Sequence, residues 1–304
     1  MMKKSVLCLI ATLYVFPCFG LVYASEGLEK ISDHVYAYAG TKNPSPANSF
    51  GANAGIVIGD KGILVVDTLA SAKAARRFIE DIRKISDKPI RYVVDTDNHF
   101  DHTLGNSEFA AIGTVILAQS SCPANMRKSA PQVFKNAKNS GMSDEEAKAV
   151  KITYPDITSP EMMRIDLGNV NVDMLFLAPS HTDDSVLVFV PQDKMLFSGD
   201  VLFTDYYPFL GDGDINGWVR TLDFIMTVHI EKIIPGHGPV STKKDVAEMK
   251  QYVLAFDQNA KELCAKTSDI EAVVTELKKM LPVRSQADSL IKSSIQAKYL
   301  KAKN

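Results

Sequence analysis

Four apolar runs in this chain lead straight into histidine or aspartate. Tyr92-Val93-Val94 precedes His99, Asp101 and His102, LFLAPS precedes His181, MLFSG precedes Asp200, and KIIPG precedes His237. Short runs rich in Val, Ile, Leu and Phe, bounded by polar turns, are the pattern of buried strands. Strands that carry polar groups at their ends can converge those groups in one pocket. Such a chain needs sheets covered on both faces, with the chemistry at the strand ends.

The rest of the sequence supplies those sheets and their cover. Val35 to Tyr38, Ala54 to Ile58 and Ile63 to Val66 read as strands, the last two joined by a Gly59-Asp60-Lys61-Gly62 hairpin turn. Ala75, Phe78, Ile79, Ile82 and Ile85 line one face of a helix, and Ile90 to Val94 follows as a buried strand. Thr114 to Leu117 is a further strand, and a polar stretch from about 120 to 149 predicts helices and loops. From Val170 the pattern is strand-rich again, in VDMLFLAP, SVLVFVP and KMLFSGD. Trp218 to Val228 predicts a helix, Ile230 to Ile234 a short strand, and Thr242 to about Lys266 a longer helix, with one or two terminal helices after Ser268 and a frayed KAKN end. Two β-rich portions with intervening helices predict two packed sheets with helices outside them, an α/β protein.

The 304 residues, 46% of them hydrophobic, are enough for one large core or two smaller ones. Lys3 and Lys4, an apolar run from Val6 to Phe19 and the small residues Val22 and Ala24 read as a cleavable export signal over residues 1–24. Pro17 interrupts a run shorter than the roughly 20 apolar residues of a spanning helix, so no stable membrane span is expected after cleavage. Removing Lys3 and Lys4 from 34 basic residues leaves 32 against 36 acidic ones, a net charge of about −4. No basic stripe is present to collect phosphates, which argues against a nucleic-acid partner. Cys8 and Cys18 leave with the signal, and Cys122 and Cys264 remain as free thiols or as one disulfide. The oligomeric state is not fixed by the sequence.

Within Asp95–Asn106, Asp97, His99, Asp101 and His102 lie inside six residues. In an extended segment 97, 99 and 101 alternate toward one side, while 102 points differently as the chain turns, so the segment can serve two metal ions. Four of the six histidines fall in these clusters. Gly236 and Gly238 flank His237 and permit a sharp turn that leaves its ring projecting, and the two oxygens of Asp200 can bridge neighbouring cations. Asp101-His102 alone would also serve as a helix cap. The ordered set of HxDH, His181, Asp200 and His237 is a metal site.

This set resembles that of the metallo-β-lactamase-fold hydrolases, over about Ile31 to Phe256. The resemblance implies a four-layer αββα sandwich of two mixed sheets with outer helices, over residues 25–262, followed by a C-terminal helical extension over 263–304. It implies a first metal site from His99 and His181, with Asp97 where the family usually has histidine, and a second from Asp101, His102 and His237, with Asp200 bridging. Two divalent ions are expected, zinc first for mixed imidazole and carboxylate ligands, with iron or manganese as alternatives. Asp97 itself reads as a ligand, as an acceptor for a metal-bound water, or as a turn residue. As a ligand it would lower the Lewis acidity of the centre and favour a more alkaline working pH.

The implied reaction is hydrolysis by a metal-activated hydroxide of an ester, thioester, lactone, phosphoester or related bond in a small molecule, with Asp101 orienting the nucleophile. The protein would act in the periplasm or outside the cell. β-Lactam hydrolysis is an alternative, although Asp97 and Asp200 depart from the usual zinc β-lactamase pattern. A diiron oxidoreductase and a noncatalytic metal-stabilised binding protein are further alternatives. Tyr206, Tyr207, Phe209, Trp218 and Arg220 could line the substrate, while the spacing of Trp218, Leu222 and Ile225 equally describes a helix anchored in the core. Asp183, Asp184, Asp212 and Asp214 read as turn residues or partners of the ligands, and Asp67 as a backbone-bonding or supporting residue.

Overall fold

The computed structural model describes residues 27–139 and 143–300. The export signal expected over 1–24 and the KAKN terminus lie outside them. Among the described residues no helix is long and apolar enough to cross a membrane.

Seven strands form the first sheet in sequence order: β1 (Glu29–Lys30), β2 (Val35–Tyr38), β3 (Ala54–Gly59), β4 (Gly62–Val66), β5 (Ile90–Val94), β6 (Val115–Gln119) and β7 (Ile157–Ser159). The first four pair antiparallel, and the pairings from β4 to β7 are parallel. The second sheet, in the order β12-β11-β10-β9-β8, contains β8 (Met162–Asp166), β9 (Asn171–Leu175), β10 (Leu187–Val190), β11 (Met195–Phe203) and β12 (Lys232–His237), with only β11 and β12 parallel. Both sheets are mixed.

Alternation along each strand divides the residues between two cores. Val57, Leu64, Val66, Val94 and Leu117 point between the sheets and meet Val172, Met174, Val188, Phe197 and Ile234 of the second sheet. Their neighbours Ile56, Ile63, Val65, Val93 and Ile116 point outward, under α1 (Ala72–Ile85) and α3 (Asn106–Ala111), where Phe78, Ile82 and Phe109 cover them. A strand buried on both faces has no polar side to show, which is why these runs are continuously apolar. The short α2 (Phe100–Thr103) precedes α3, and α4 (Cys122–Asn139) and α5 (Asp144–Lys148) follow β6.

The outer face of the second sheet is covered by α6 (Ile215–Thr227), α7 (Lys243–Lys266), α8 (Ile270–Met280) and α9 (Ser289–Ser294). Trp218, Leu222 and Ile225 of α6, Tyr252 and Phe256 of α7, Leu277 of α8 and Ile291 of α9 share one core with Leu196 and Phe203 of β11. The result is an αββα sandwich. The expected boundary at 263 falls inside α7, and the terminal helices pack into the same core as β11.

Short edge strands carry little pattern, so β1, β7 and β8 are absent from the sequence reading. Met162 of β8 is 60% exposed and Ile157 of β7 48%. The expected strand at 230–234 is displaced to Lys232–His237, because pairing with β11 carries the ladder as far as Phe203 and His237. Cys122 and Cys264 are free, and lie in different cores, one beside Met126 and the other against the α6–α9 cluster.

Asp193, after β10, ties the N-terminal strands to the second sheet. Its carboxylate accepts from Ser32 Oγ, from the His34 amide at 2.8 Å and faces His34 Nδ1 at 2.6 Å. Burial opposes its charge, but these bonds outweigh burial and hold the carboxyl below its ordinary pKa. A depressed carboxyl pKa stabilises the fold above the unfolded-state value, about 3.9, and that contribution is lost as pH falls through the folded value. Asp193→Asn should therefore unfold at lower urea than the parent at pH 7, with the gap closing below about pH 4. A gap independent of pH would refute the charge contribution.

Candidate metal centre

All seven polar residues meet in one cluster, on the side where β5 and β12 finish; Asp200, expected after its strand, lies inside β11, whose pairing with β12 runs on to Phe203. Donor atoms of Asp97, His99, His181 and Asp200 form one group, and those of Asp101, His102 and His237 another, each lying within 4.8 Å. In the first, His181 Nε2 is 3.0 Å from His99 Nδ1, 3.2 Å from Asp200 Oδ2 and 3.9 Å from Asp97 Oδ2. In the second, His237 Nε2 is 3.3 Å from Asp101 Oδ2, and His102 Nε2 is 4.0 Å from the same oxygen. Asp200 joins the groups, because its Oδ1 lies 3.2 Å from His102 Nε2 and 3.5 Å from His237 Nε2 while Oδ2 faces His181. Ligands about 2.1 Å from a tetrahedral ion sit about 3.4 Å apart. The donor spacing fits that arrangement.

Unmet hydrogen-bonding capacity also fits cations. Asp97 Oδ2, Asp200 Oδ1 and His102 Nε2 are buried, point into the cluster and have no hydrogen-bond partner among the described residues. Leaving such groups unpaired costs roughly 1–3 kcal/mol each, more when charged. Divalent ions, one in each group, would satisfy all three. The field of the cluster shows the same demand for positive charge. Burial works against a charged His99, yet Asp97, Asp212, Asp101 and Asp200 raise its pKa to about 10. His102 and His237 are raised against burial by Asp200 and its neighbours, and Asp200 itself, despite burial, is held well below the ordinary carboxylate range by His102, His237 and His181. Deeper in, burial together with Asp67 and Asp97 keeps Asp95 protonated far above its usual range.

Asp97 has two functions in the geometry. Its Oδ1 accepts the His99 amide at 2.8 Å, shaping the turn out of β5, while Oδ2 remains free for the cluster. Asp67 holds His102 from behind, with Oδ2 2.9 Å from Nδ1, and is itself bonded by the Thr96 amide and hydroxyl. That bond fixes the proton on Nδ1 and leaves Nε2 as the donor. Asn53 pins the turn after β12, donating to Pro235 O and Gly238 O at 2.8 and 2.9 Å. Gly238 takes the left-handed φ of +99° expected of a sharp turn. Gly236 is needed for space, since a Cβ there would sit 1.9 Å from Asp200 Oδ1. Gly236→Ala should displace Asp200 and lower bound metal per chain, a loss read by elemental analysis after dialysis; unchanged content would show that the strand can yield.

The expected substrate wall divides. Trp218 is fully buried, its indole N–H donating to Val201 O at 2.8 Å, and its ring supports His181 from behind at 5.2 Å. Tyr207 is buried against Tyr252. Tyr206 packs on His237 and donates to Thr41 O, and burial with the nearby Asp205 pushes its pKa up to about 12, which leaves it a neutral donor. Arg220 is exposed on α6. Half-buried Phe209 is the member that stands edge-on to His99 and His181, at 6.1 and 6.5 Å. Phe203, stacked on His237 at 5.1 Å, escaped the sequence reading because it looks like any other core position of β11. Asp184 is fully buried and accepts from Asn98, Asn125 and Thr182, joining the loops that carry His99 and His181, and Asp214 caps α6.

An αββα sandwich whose strand ends present two adjoining His/Asp donor sets defines a metal-dependent hydrolase scaffold acting on small molecules. Residues 48–237 match the family model of the metallo-beta-lactamase superfamily, and the chain belongs to that superfamily. It is 22% identical over 272 residues to a metallo-beta-lactamase type 2 of Elizabethkingia meningoseptica, covering 86% of this chain and 99% of the other. To a linear primary-alkylsulfatase of a Pseudomonas strain it is 26% identical over 222 residues, 62% of this chain and 42% of that one. Among solved structures, a stereoselective inverting sec-alkylsulfatase from Pseudomonas sp. superposes with a TM-score of 0.65 at 18% identity, over 90% of this chain and 50% of that one. A metallo-beta-lactamase from Pontibacter korlensis gives 0.57 at 18% identity, over 75% and 98%. The chain thus spans half or less of these alkylsulfatases.

Proposed function

We propose that the protein is a dinuclear, zinc-dependent hydrolase of a small ester-type substrate, an ester, thioester, lactone, phosphoester or related bond. The observation that carries this reading is Asp200, whose two oxygens face different histidine groups, as a carboxylate shared between two ions would. Asp97, His99 and His181 would hold the first ion and Asp101, His102 and His237 the second. Two divalent ions held there would supply an ionised water at neutral pH and would stabilise negative charge developing on the electrophile's oxygen.

The protein's own groups do the positioning. The Asp101 side chain is 14% exposed, against 1% for Asp97 and 5% for Asp200, so Asp101 is the carboxylate that reaches an incoming water. Burial opposes its charge, but His102 and His237 outweigh burial and hold it ionised below the ordinary carboxylate range, so it orients the water by accepting a hydrogen bond. A thiol mechanism is not supported, because Cys122 is buried and burial, with Asp184, Asp95 and Asp97, pushes its pKa well up. With three carboxylates among the ligands, two divalent ions would carry a formal charge of +1 before water binds. An Asp97→His variant, one charge more positive, should shift the acid limb of the rate profile to lower pH. An identical profile would remove the electronic role of Asp97. Residues 1–24 support a periplasmic or secreted location.

The test is a hydrolysis panel of esters, thioesters, lactones, phosphate esters, alkyl sulfates and β-lactams, with zinc-loaded and chelator-stripped protein. One class should be turned over, and the activity should vanish on stripping and return with zinc. β-Lactam hydrolysis is the second reading, favoured by similarity along nearly the whole Elizabethkingia enzyme. No turnover of any class by fully loaded protein would refute the hydrolase reading in favour of a metal-stabilised binding protein.

A further inference from the structure

Resting on the reading of the cluster as a two-ion centre, we propose that Asp212 is a positioning residue of the first metal half-site, and that the C-terminal segment 284–298 holds it in place. The loop 204–214 leaves β11 shortly after Asp200 and passes over His99 and His181. Asp212 Oδ2 lies 3.2 Å from His99 Nε2, while Nδ1 of the same ring faces the donor cluster, 3.0 Å from His181 Nε2. An imidazole that gives Nδ1 to an ion keeps its proton on Nε2, and a carboxylate at Nε2 fixes that tautomer, orients the ring and makes Nδ1 a stronger donor. Asp67 acts on His102 in the mirror sense, through Nδ1. The outward nitrogens of His181 and His237, both Nδ1, have no hydrogen-bond partner among the described residues. One ligand in each half-site therefore has a carboxylate behind it.

The two supports are built differently. Asp67 is buried in the body of the sandwich, whereas the Asp212 side chain is 60% exposed on a loop. Its placement has to come from what restrains that loop. Arg284 Nη1 donates to Phe203 O at 2.7 Å and Tyr206 O at 3.2 Å, and Ser285 Oγ donates to Asp205 Oδ2 at 2.7 Å. The Tyr207 amide donates to Gln286 O at 3.0 Å, the Leu210 amide to the buried Ser294 Oγ at 2.9 Å, and Lys298 Nζ to Gly213 O at 2.5 Å, next to Asp212 itself. On the other side the Asp214 amide donates to Ser180 O at 2.8 Å, beside His181. The loop is thus bonded along its length to the C-terminal segment and at its end to a ligand-bearing loop.

The experiment measures Zn2+ stoichiometry and both dissociation constants by chelator competition, in the parent chain and in Asp212→Asn, Asp212→Glu, Lys298→Met and the Asp212→Asn/Lys298→Met double variant. Cobalt-loaded absorption spectra and melting of the metal-free proteins accompany it. Asp212→Asn should weaken one of the two ions by about 10–100-fold and leave the other unchanged. It should shift the cobalt bands of that ion alone without lowering the metal-free melting temperature, and Asp212→Glu should restore most of the affinity. Lys298→Met should weaken the same ion by a smaller factor and add little to Asp212→Asn, since both act through one contact. A parent protein that binds fewer than two ions would overturn the two-ion reading, and the proposal with it. Two ions in the parent with equal affinities in Asp212→Asn would overturn the positioning role alone, and full additivity of the two substitutions would overturn the C-terminal brace.

Discussion

An Asp200→Ala variant should hold at most one ion per chain where the parent holds two, and its hydrolytic rate should fall by more than the roughly 10–100-fold typical of outer supporting partners. No other residue in the cluster serves both groups: Oδ1 is 3.2 Å from His102 Nε2, and Oδ2 is 3.2 Å from His181 Nε2. Losing it removes a negative charge from a place where three histidines converge, so mutual repulsion of the two ions rises as their shared ligand disappears. The fold should survive, because Asp200 is set at the site and the packing of β11 rests on its apolar neighbours. Elemental analysis and kcat/KM on the same preparation check the prediction. Two ions held as tightly as in the parent would show that the groups do not depend on a shared carboxylate.

Trp218→Ala should be the most destabilising single substitution in the α6 layer, at about 3–5 kcal/mol. The ring is fully buried and belongs to the core that joins α6–α9 to the second sheet, and its removal also strands Val201 O. Trp218→Phe keeps most of the packing and loses the hydrogen bond, so a smaller loss of about 1–3 kcal/mol is expected. Urea unfolding of the two variants gives the comparison. Parent-like stability of Trp218→Ala would mean that the helix is held by its other contacts. Because the indole edge supports His181 at 5.2 Å, the alanine variant should also bind metal more weakly than the phenylalanine variant.

The sequence carries these positions where a local rule applies. Val57, Leu64 and Val66 face one way and Ile56, Ile63 and Val65 the other because a strand alternates its side chains, and apolar residues on both faces announce cover on both faces. Helix α1 follows its apolar spacing, with Phe78 and Ile82 buried. The edge strands β7 and β8 were hidden because exposed edges carry mixed residues and no alternation to detect. Trp218 illustrates a different limit: spacing tells which face of α6 is apolar, and only packing tells that this face meets β11 rather than a substrate.

By itself the sequence determined the candidate donor types, their order along the chain and, for all but Asp200, which lies inside β11, their places after strands or at a strand end, because strand period and turn chemistry are local properties of consecutive residues. Tertiary structure decided which donors meet, since His99 and His181 are separated by 82 positions and come within 3.0 Å only through the packing of two sheets. It also decided how Asp97 divides its two oxygens between a turn and the cluster, and that Asp212, one acidic residue among several in a glycine-rich loop, lies behind His99. Those outcomes depend on distances between separate elements, and no spacing along the chain encodes such distances.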